Sequence, residues 1–299
     1  MAAHPDGVRP RSPFYKGGFD GVSMIEFYKI QGSGNDFILI DNRENALRDV
    51  GKVDEFVKAV CRQHVAVGAD GLIVIENSDR ANFRWRFFNA DGSEVEMCGN
   101  GGRCAARFAV IKGIAPEKMS FETRAGIIDA EVTGDIVKLR LTDPKALRKG
   151  YTIDVGGTAV LVNSINTGVP HVVVFINDVD GHDVFSMGKT IRYHGEYQPV
   201  GTNANFARVL NRHRIKVRTY ERGVEDETLA CGTGAVATAL VASWTGLVDS
   251  PVDVLVKSEE TLKIYFEKTN QGFEKVYLEG GTTVVYQGFL WDEAYDSGR

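Results

Sequence analysis

A chain of 299 residues with 43% hydrophobic and 25% charged side chains can bury a large core, and at this length two domains are expected. The formal net charge of −5, from 40 acidic against 35 basic side chains, argues against binding nucleic acid or acidic membranes, which requires a concentrated basic surface. No apolar run reaches membrane-spanning length, and the N-terminus lacks the basic start and apolar stretch of a secretory signal. The expectation is a cytoplasmic protein acting on a small soluble molecule, with no nucleic-acid or membrane partner and a homodimer as the candidate assembly.

In chain order, residues 1 to 23 hold three of the eight prolines and no periodic apolar pattern, and read as a flexible leader before a folded start near Met24. Short β-rich runs follow at Ile25 to Ile30, Phe37 to Asp41, Leu72 to Ile75 and Phe83 to Phe88. Between them Val53, Phe56, Val57 and Val60 recur at helical spacing, predicting a helix from Val53 to His64. More strands are expected after Met119.

The two halves of the chain echo one another. Lys29-Ile-Gln-Gly-Ser-Gly-Asn-Asp-Phe-Ile-Leu-Ile and Asn163-Ser-Ile-Asn-Thr-Gly-Val-Pro-His-Val-Val-Val each lead through a glycine turn into a β run. A strand ending at Phe87-Phe88-Asn89-Ala-Asp-Gly precedes Cys98-Gly-Asn-Gly, and one ending at Thr219-Tyr220-Glu221-Arg-Gly precedes Cys231-Gly-Thr-Gly. Alanine-rich helices are predicted after each, over Gly101 to Ile111 and Gly234 to Trp244. The pattern predicts an α+β fold of two pseudo-symmetric halves, each an antiparallel sheet wrapped around a central helix, with the site in the cleft between them. The halves are assigned to residues 24–142 and 143–274, a strand from 275–290 completing the first and 291–299 forming a tail.

Cys61, Cys98, Cys104 and Cys231 are widely spaced and read as reduced thiols. None forms the Cys-x-x-Cys pairing of structural zinc sites, so no metal is expected. Cys98 and Cys231 each stand where a helix begins, next to glycines that let a ligand approach the backbone. The positive end of a helix dipole favours a thiolate and an incoming carboxylate. Inverting an amino-acid α-carbon needs two opposed acid/base groups. A thiol with an ordinary pKa of ~8.5, lowered toward ~7 at a helix start, can serve as either. Burial opposes that lowering, and the two tendencies are expected to be close in size. Two neighbouring thiols would share one negative charge. Cys104 lies roughly 240° around the helix from Cys98 and, with Cys61, is expected to pack in the core.

Five segments carry a family resemblance: Gly32-Ser-Gly-Asn-Asp-Phe, Phe88-Asn-Ala-Asp-Gly-Ser, Met97-Cys-Gly-Asn-Gly, Tyr220-Glu-Arg-Gly and Ala230-Cys-Gly-Thr-Gly. In that order they resemble the diaminopimelate epimerases, from about Met24 to Phe289. The resemblance implies that family's fold and conversion of L,L-diaminopimelate to the meso isomer, on the route to lysine and peptidoglycan precursors, without cofactor or metal. It implies that Cys98 and Cys231 are the paired bases. Gly99, Asn100, Gly232 and Thr233 resemble the backbone cradle of the α-carboxylate. Asn35, Asn89, Asn203, Glu221 and Arg222 resemble the polar groups that hold the substrate, Arg222 taking the distal carboxylate and Glu221 the distal ammonium. Two positions depart from the form of the family with glutamine after Gly-Ala-Asp and asparagine before Pro-His: this chain has Gly71 and Val169 there. His171 has either a structural place or one beside the site.

The nearest alternative is a proline or hydroxyproline racemase of the same architecture. Those enzymes resemble this chain in pairing cysteines, but carry His where it has Asn100 and lack the Tyr-Glu-Arg-Gly segment. A phenazine-biosynthesis-type isomerase would lack the cysteine pair. A thiol redox sensor or zinc module would use the same residues differently.

Overall fold

The computed structural model describes residues 24–295; the expected leader and residues 296–299 lie outside them. Eight strands build the first half: β1 (Ile25–Gly32), β2 (Asn35–Asp41), β3 (Gly71–Glu76), β4 (Phe83–Asn89), β5 (Glu94–Val95), β6 (Lys118–Thr123), β7 (Gly126–Thr133) and β8 (Ile136–Arg140). Nine follow in the second: β9 (Lys145–Val155), β10 (Thr158–Asn166), β11 (Pro170–Phe175), β12 (Asn203–Asn211), β13 (Arg214–Glu221), β14 (Asp226–Thr228), β15 (Val252–Leu255), β16 (Thr261–Thr269) and β17 (Gly272–Gly281). The last strand, β18 (Thr283–Leu290), returns to pair with β1. The helices are α1 (Val53–Val60), α2 (Gly99–Ile111), α3 (Val184–Arg192) and α4 (Gly232–Trp244). No helix among the described residues is long and apolar enough to cross a membrane.

The pseudo-symmetry extends to the ladders. In the first half β1–β2 is antiparallel, β2–β3 parallel, β3–β4 and β4–β5 antiparallel, β4–β6 parallel, and β6–β7 and β7–β8 antiparallel. The second half repeats that series from β10–β11 to β16–β17. Each sheet is therefore mixed, with two parallel pairs among antiparallel ones. An antiparallel seam between β8 and β17 joins the halves.

Burial explains the strand compositions. Along β7 exposed and buried residues alternate, as on a sheet with one wet face, whereas Gly71 to Ile75 of β3 are all buried. The continuous run arises because β2 and β3 are covered twice. Phe37, Leu39 and Ile73 pack toward Ala105, Ala106 and Phe108 of α2, and Ile38, Leu72 and Val74 toward Phe56, Val57 and Val60 of α1. Each such large apolar side chain contributes roughly 1.5–3 kcal/mol by leaving water. In α4 every residue from Gly234 to Ser243 is buried, so this helix shows no polar face.

Helix α1 ends at Val60 and does not run to His64. The apolar spacing stops there too, and the carbonyls of Val60 and Cys61 accept the N–H groups of Gly68 and Ala69 as the chain folds back. His64, at φ +65°, lies in the turn.

Candidate active site

Helices α2 and α4 each begin two residues earlier than their apolar pattern predicts, so Cys98 and Cys231 are the N-cap residues, both in extended conformation. Glycine is usually counted against a helix, but the first-turn N–H groups have no intrahelical acceptor and tolerate it. Neither first turn carries an acidic residue, so the positive helix ends are not neutralised from within. The Gly101 N–H donates to Cys98 Sγ at 3.4 Å, while Cys231 Sγ lies 3.6 Å from Thr233 Oγ1. All four thiols are free, and Cys61 and Cys104 are buried in the core.

The two helix starts converge on one side chain. A Cβ built on Gly99 or on Gly232 would stand 3.2 Å from Leu278 Cδ2 on β17, and the Gly232 position is also 3.5 Å from Asn100 Oδ1. The fold thus brings together Cys98, Gly99, Asn100, Cys231 and Gly232 from opposite halves of the sequence.

Burial wins over the helix starts at both thiols, which corrects the expectation of near balance. Cys98 is pushed up by burial first. The Gly101 and Asn100 N–H groups and the Arg103 charge pull it back, and the Glu221 carboxylate pushes it up further. Cys231 is raised by burial and then by Glu221, with smaller opposing contributions from Thr233 and Gly234. The Glu221 carboxylate disfavours a thiolate at either sulfur and Arg103 partly opposes it at Cys98, so the pair is expected to carry one negative charge and not two.

The remaining expected residues fall into three groups. Asn100, buried, donates from Nδ2 to Asn35 Oδ1 at 2.7 Å, and Asn35 Nδ2 donates to Asp70 Oδ2 at 2.9 Å. Across the junction, the buried Asn203 accepts the Arg222 backbone N–H at 2.8 Å and donates to the Pro170 carbonyl at 2.9 Å, tying the β13 end to the start of β11. Glu221 accepts from Thr228 Oγ1 at 2.9 Å and is raised by burial, while Arg222 Nη1 donates to the Val200 carbonyl at 3.0 Å. Asn89 is exposed at the end of β4, where its amide donates to Ser93 Oγ at 3.3 Å.

His171 is buried, and its Nε2 has no partner among the described residues. Burial lowers its pKa to about 3, the Arg222 charge acting in the same direction, so the ring is neutral. It neighbours Asn205, a residue that the sequence reading missed. Asn205 Nδ2 donates to the Val172 carbonyl at 2.8 Å and its Oδ1 accepts from Thr219 Oγ1 at 2.9 Å. A Cβ on Gly234 would stand 2.4 Å from that Oδ1, which is why the first turn of α4 needs glycine there. Thr167 was missed as well; its hydroxyl donates to the Thr233 carbonyl at 3.0 Å and braces the same turn. The available signal was a polar residue inside an otherwise apolar strand, Asn203-Ala-Asn205-Phe206.

The diaminopimelate epimerase family profile matches residues 27–146 and 163–285. The chain is 50% identical over 284 residues to the diaminopimelate epimerase of Aquifex aeolicus (strain VF5), covering 91% of this chain and 100% of that protein. It is 43% identical over 278 residues to the diaminopimelate epimerase of Archaeoglobus fulgidus, covering 89% and 96%. Among solved structures, a Bacillus anthracis phenazine biosynthesis protein of the PhzF family is similar with a TM-score of 0.67 at 16% identity, covering 89% of this chain and 99% of that one. A hydroxyproline epimerase from Agrobacterium vitis is similar with a TM-score of 0.66 at 12% identity, covering 92% and 94%. At those identities the solved structures speak to the fold alone.

Proposed function

This chain belongs to the diaminopimelate epimerase family, and from that premise we propose that it converts L,L-2,6-diaminopimelate to the meso isomer with Cys98 and Cys231 as the two bases. The reaction serves the supply of lysine and peptidoglycan precursors in the cytoplasm. The observation that carries the reading is the convergence of two cysteine-capped helix starts on Leu278.

Two thiols at converging helix starts can address both faces of one carbon. A thiolate at Cys98 takes the α-proton and the Cys231 thiol gives a proton from the other side, so the configuration inverts while one negative charge passes between the sulfurs. The α-carboxylate is held by the first-turn N–H groups at Gly99, Asn100, Gly232 and Thr233, whose partial positive charge is in place before the carbanion develops and needs no rearrangement. Burial that raises both thiols in the free protein is offset when a zwitterionic substrate brings its own ammonium beside them. Asn35, Asn89, Asn203, Glu221 and Arg222 serve the rest of the substrate, the last two its distal amino-acid end. For that, Arg222 exchanges its bond to the Val200 carbonyl for the stronger pairing with a carboxylate.

The reading is tested by incubating pure protein with L,L-diaminopimelate and, separately, L-proline, and resolving the stereoisomers by chiral chromatography. Formation of the meso isomer with no D-proline is expected. Racemised proline with untouched diaminopimelate would replace this reading by the alternative.

A further inference from the structure

Arg103 on α2 is fully buried, and its Nε and Nη1 have no hydrogen-bond partner among the described residues. An unpaired guanidinium is costly in a protein interior, so a fold that can do without one should. The internal repeat shows that it can. Val236 is the fifth residue after Cys231, as Arg103 is the fifth after Cys98, and it is packed at 1% exposure in α4. The first half instead makes room for the cation. A Cβ on Gly280 would stand 3.3 Å from Arg103 Cζ and Nε, and one on Gly32 would stand 3.4 Å from Nη2.

The nitrogen that is bonded, Nη2, donates to Ser33 Oγ at 2.7 Å and to Asn100 Oδ1 at 3.1 Å. Ser33 and Gly34 form the two-residue turn between β1 and β2 with φ of +56° and +87°. The bond from Arg103 holds a serine in a conformation that favours glycine. A guanidinium only donates, so it fixes the Asn100 oxygen toward itself and turns the Asn100 Nδ2 toward Asn35 Oδ1. The Asn35 Nδ2 must then face an acceptor, and Asp70, a carboxylate that only accepts when ionised, supplies it. The chain starts on a cation and ends on an anion, so neither amide can flip without losing bonds at both ends. Each amide keeps one N–H to offer a ligand.

We propose that Arg103 is a positioning residue that locks the Asn100 and Asn35 amides with their N–H groups toward a substrate carboxylate. The nature of that carboxylate rests on the epimerase reading; the orientation does not. The same buried charge acts on Cys98. The charged and titratable groups that bear on this thiol are Arg103 and Cys104 from α2, Glu221 from β13 and Cys231 at the start of α4. Among the influences on it, Arg103 and the α2 N–H groups favour the thiolate.

The test uses Arg103→Met, Arg103→Lys and Asp70→Asn in the full chain. Arg103→Met mirrors the apolar residue of the second half and is expected to fold, with KM for L,L-diaminopimelate raised about tenfold or more and kcat changed less. The pH at which Cys98 is half alkylated by iodoacetamide, read by peptide mapping without substrate, should rise by roughly half a unit or more. Arg103→Lys should restore the alkylation pH but not KM, because an ammonium is a point charge on a flexible stem. Asp70→Asn, at an exposed position, should raise KM several-fold by allowing the amides to flip. Unchanged KM in Asp70→Asn together with unchanged KM and alkylation pH in a folded Arg103→Met would overturn the proposal, as would unchanged KM in Asp70→Asn if Arg103→Met does not fold. A parent protein that leaves diaminopimelate untouched but whose Cys98 alkylation still shifts in Arg103→Met would reject the substrate and retain the charge effect.

Discussion

Gly99 and Gly232 face the same atom, Leu278 Cδ2, each at 3.2 Å from where its Cβ would be. Leu278 is fully buried, so a methyl group on either glycine has to push it aside or shift a helix start. Gly99→Ala and Gly232→Ala should each lower kcat/KM by about tenfold or more, because small displacements of reacting groups are costly, while the thermal midpoint moves by only a few degrees. Steady-state kinetics and a thermal melt on both variants check this; parent-like turnover in either would show that the helix starts need no close approach.

Cys98→Ala and Cys231→Ala should each reduce turnover by at least ~10³-fold with the fold intact by circular dichroism, since each removes one of the two proposed proton-transfer groups. Retention of full activity by one variant would leave its sulfur without a catalytic part.

The Glu221 carboxylate raises both thiols. Its removal in Glu221→Gln lowers them, so the acid limb of the kcat/KM profile should move to lower pH, with KM for diaminopimelate raised by loss of the proposed distal contact. Glu221 is itself raised by burial. A carboxyl raised on folding contributes stability below its unfolded pKa and loses it as pH rises through the folded value. At neutral pH the variant should therefore be at least as stable as the parent in urea. An acid limb that stays in place, or moves up, would contradict this placement of the charge.

His171 makes stability pH-dependent in the opposite sense. Its pKa is about 3 in the fold against an ordinary value of ~6.5, so between those values the unfolded chain binds the extra proton. Its contribution is complete above the unfolded value and is lost as pH falls through the window, at up to ~1.4 kcal/mol per pH unit. Between pH 7 and pH 5 the parent should lose on the order of 1–2 kcal/mol more than His171→Gln in urea titrations. Equal losses would mean that the ring is solvated and protonates freely.

The paired cysteines and the two-half plan were legible because a repeat displays the same spacing twice, and an isolated Cys-Gly would not have stood out. The helix starts were read two residues late because Gly99 and Gly232 count against helix on propensity, whereas a first turn tolerates them. Arg103 was not legible: an arginine in an alanine-rich helix reads as a surface residue, and only the arrival of Ser33 and Gly280 from distant parts of the chain shows it to be enclosed. Leu278 was hidden for the same reason. The departure at Gly71 now has a packing account. A Cβ there would lie 2.5 Å from the Phe88 carbonyl oxygen and 2.6 Å from Phe87 Cε2, so the position admits no side chain while Phe87 fills that space. For Val169 the structure offers no comparable reason.

The most direct test of two sulfurs acting on opposite faces is the early time course of the epimerisation in heavy water, with the α-positions of both isomers followed by mass spectrometry. The account predicts that at low conversion the meso product carries one deuterium at the inverted carbon while the remaining L,L isomer carries none, because the delivered proton comes from a second, solvent-exchanged thiol. Product that retains the original hydrogen would require a single base moving one proton between faces, and would contradict the account.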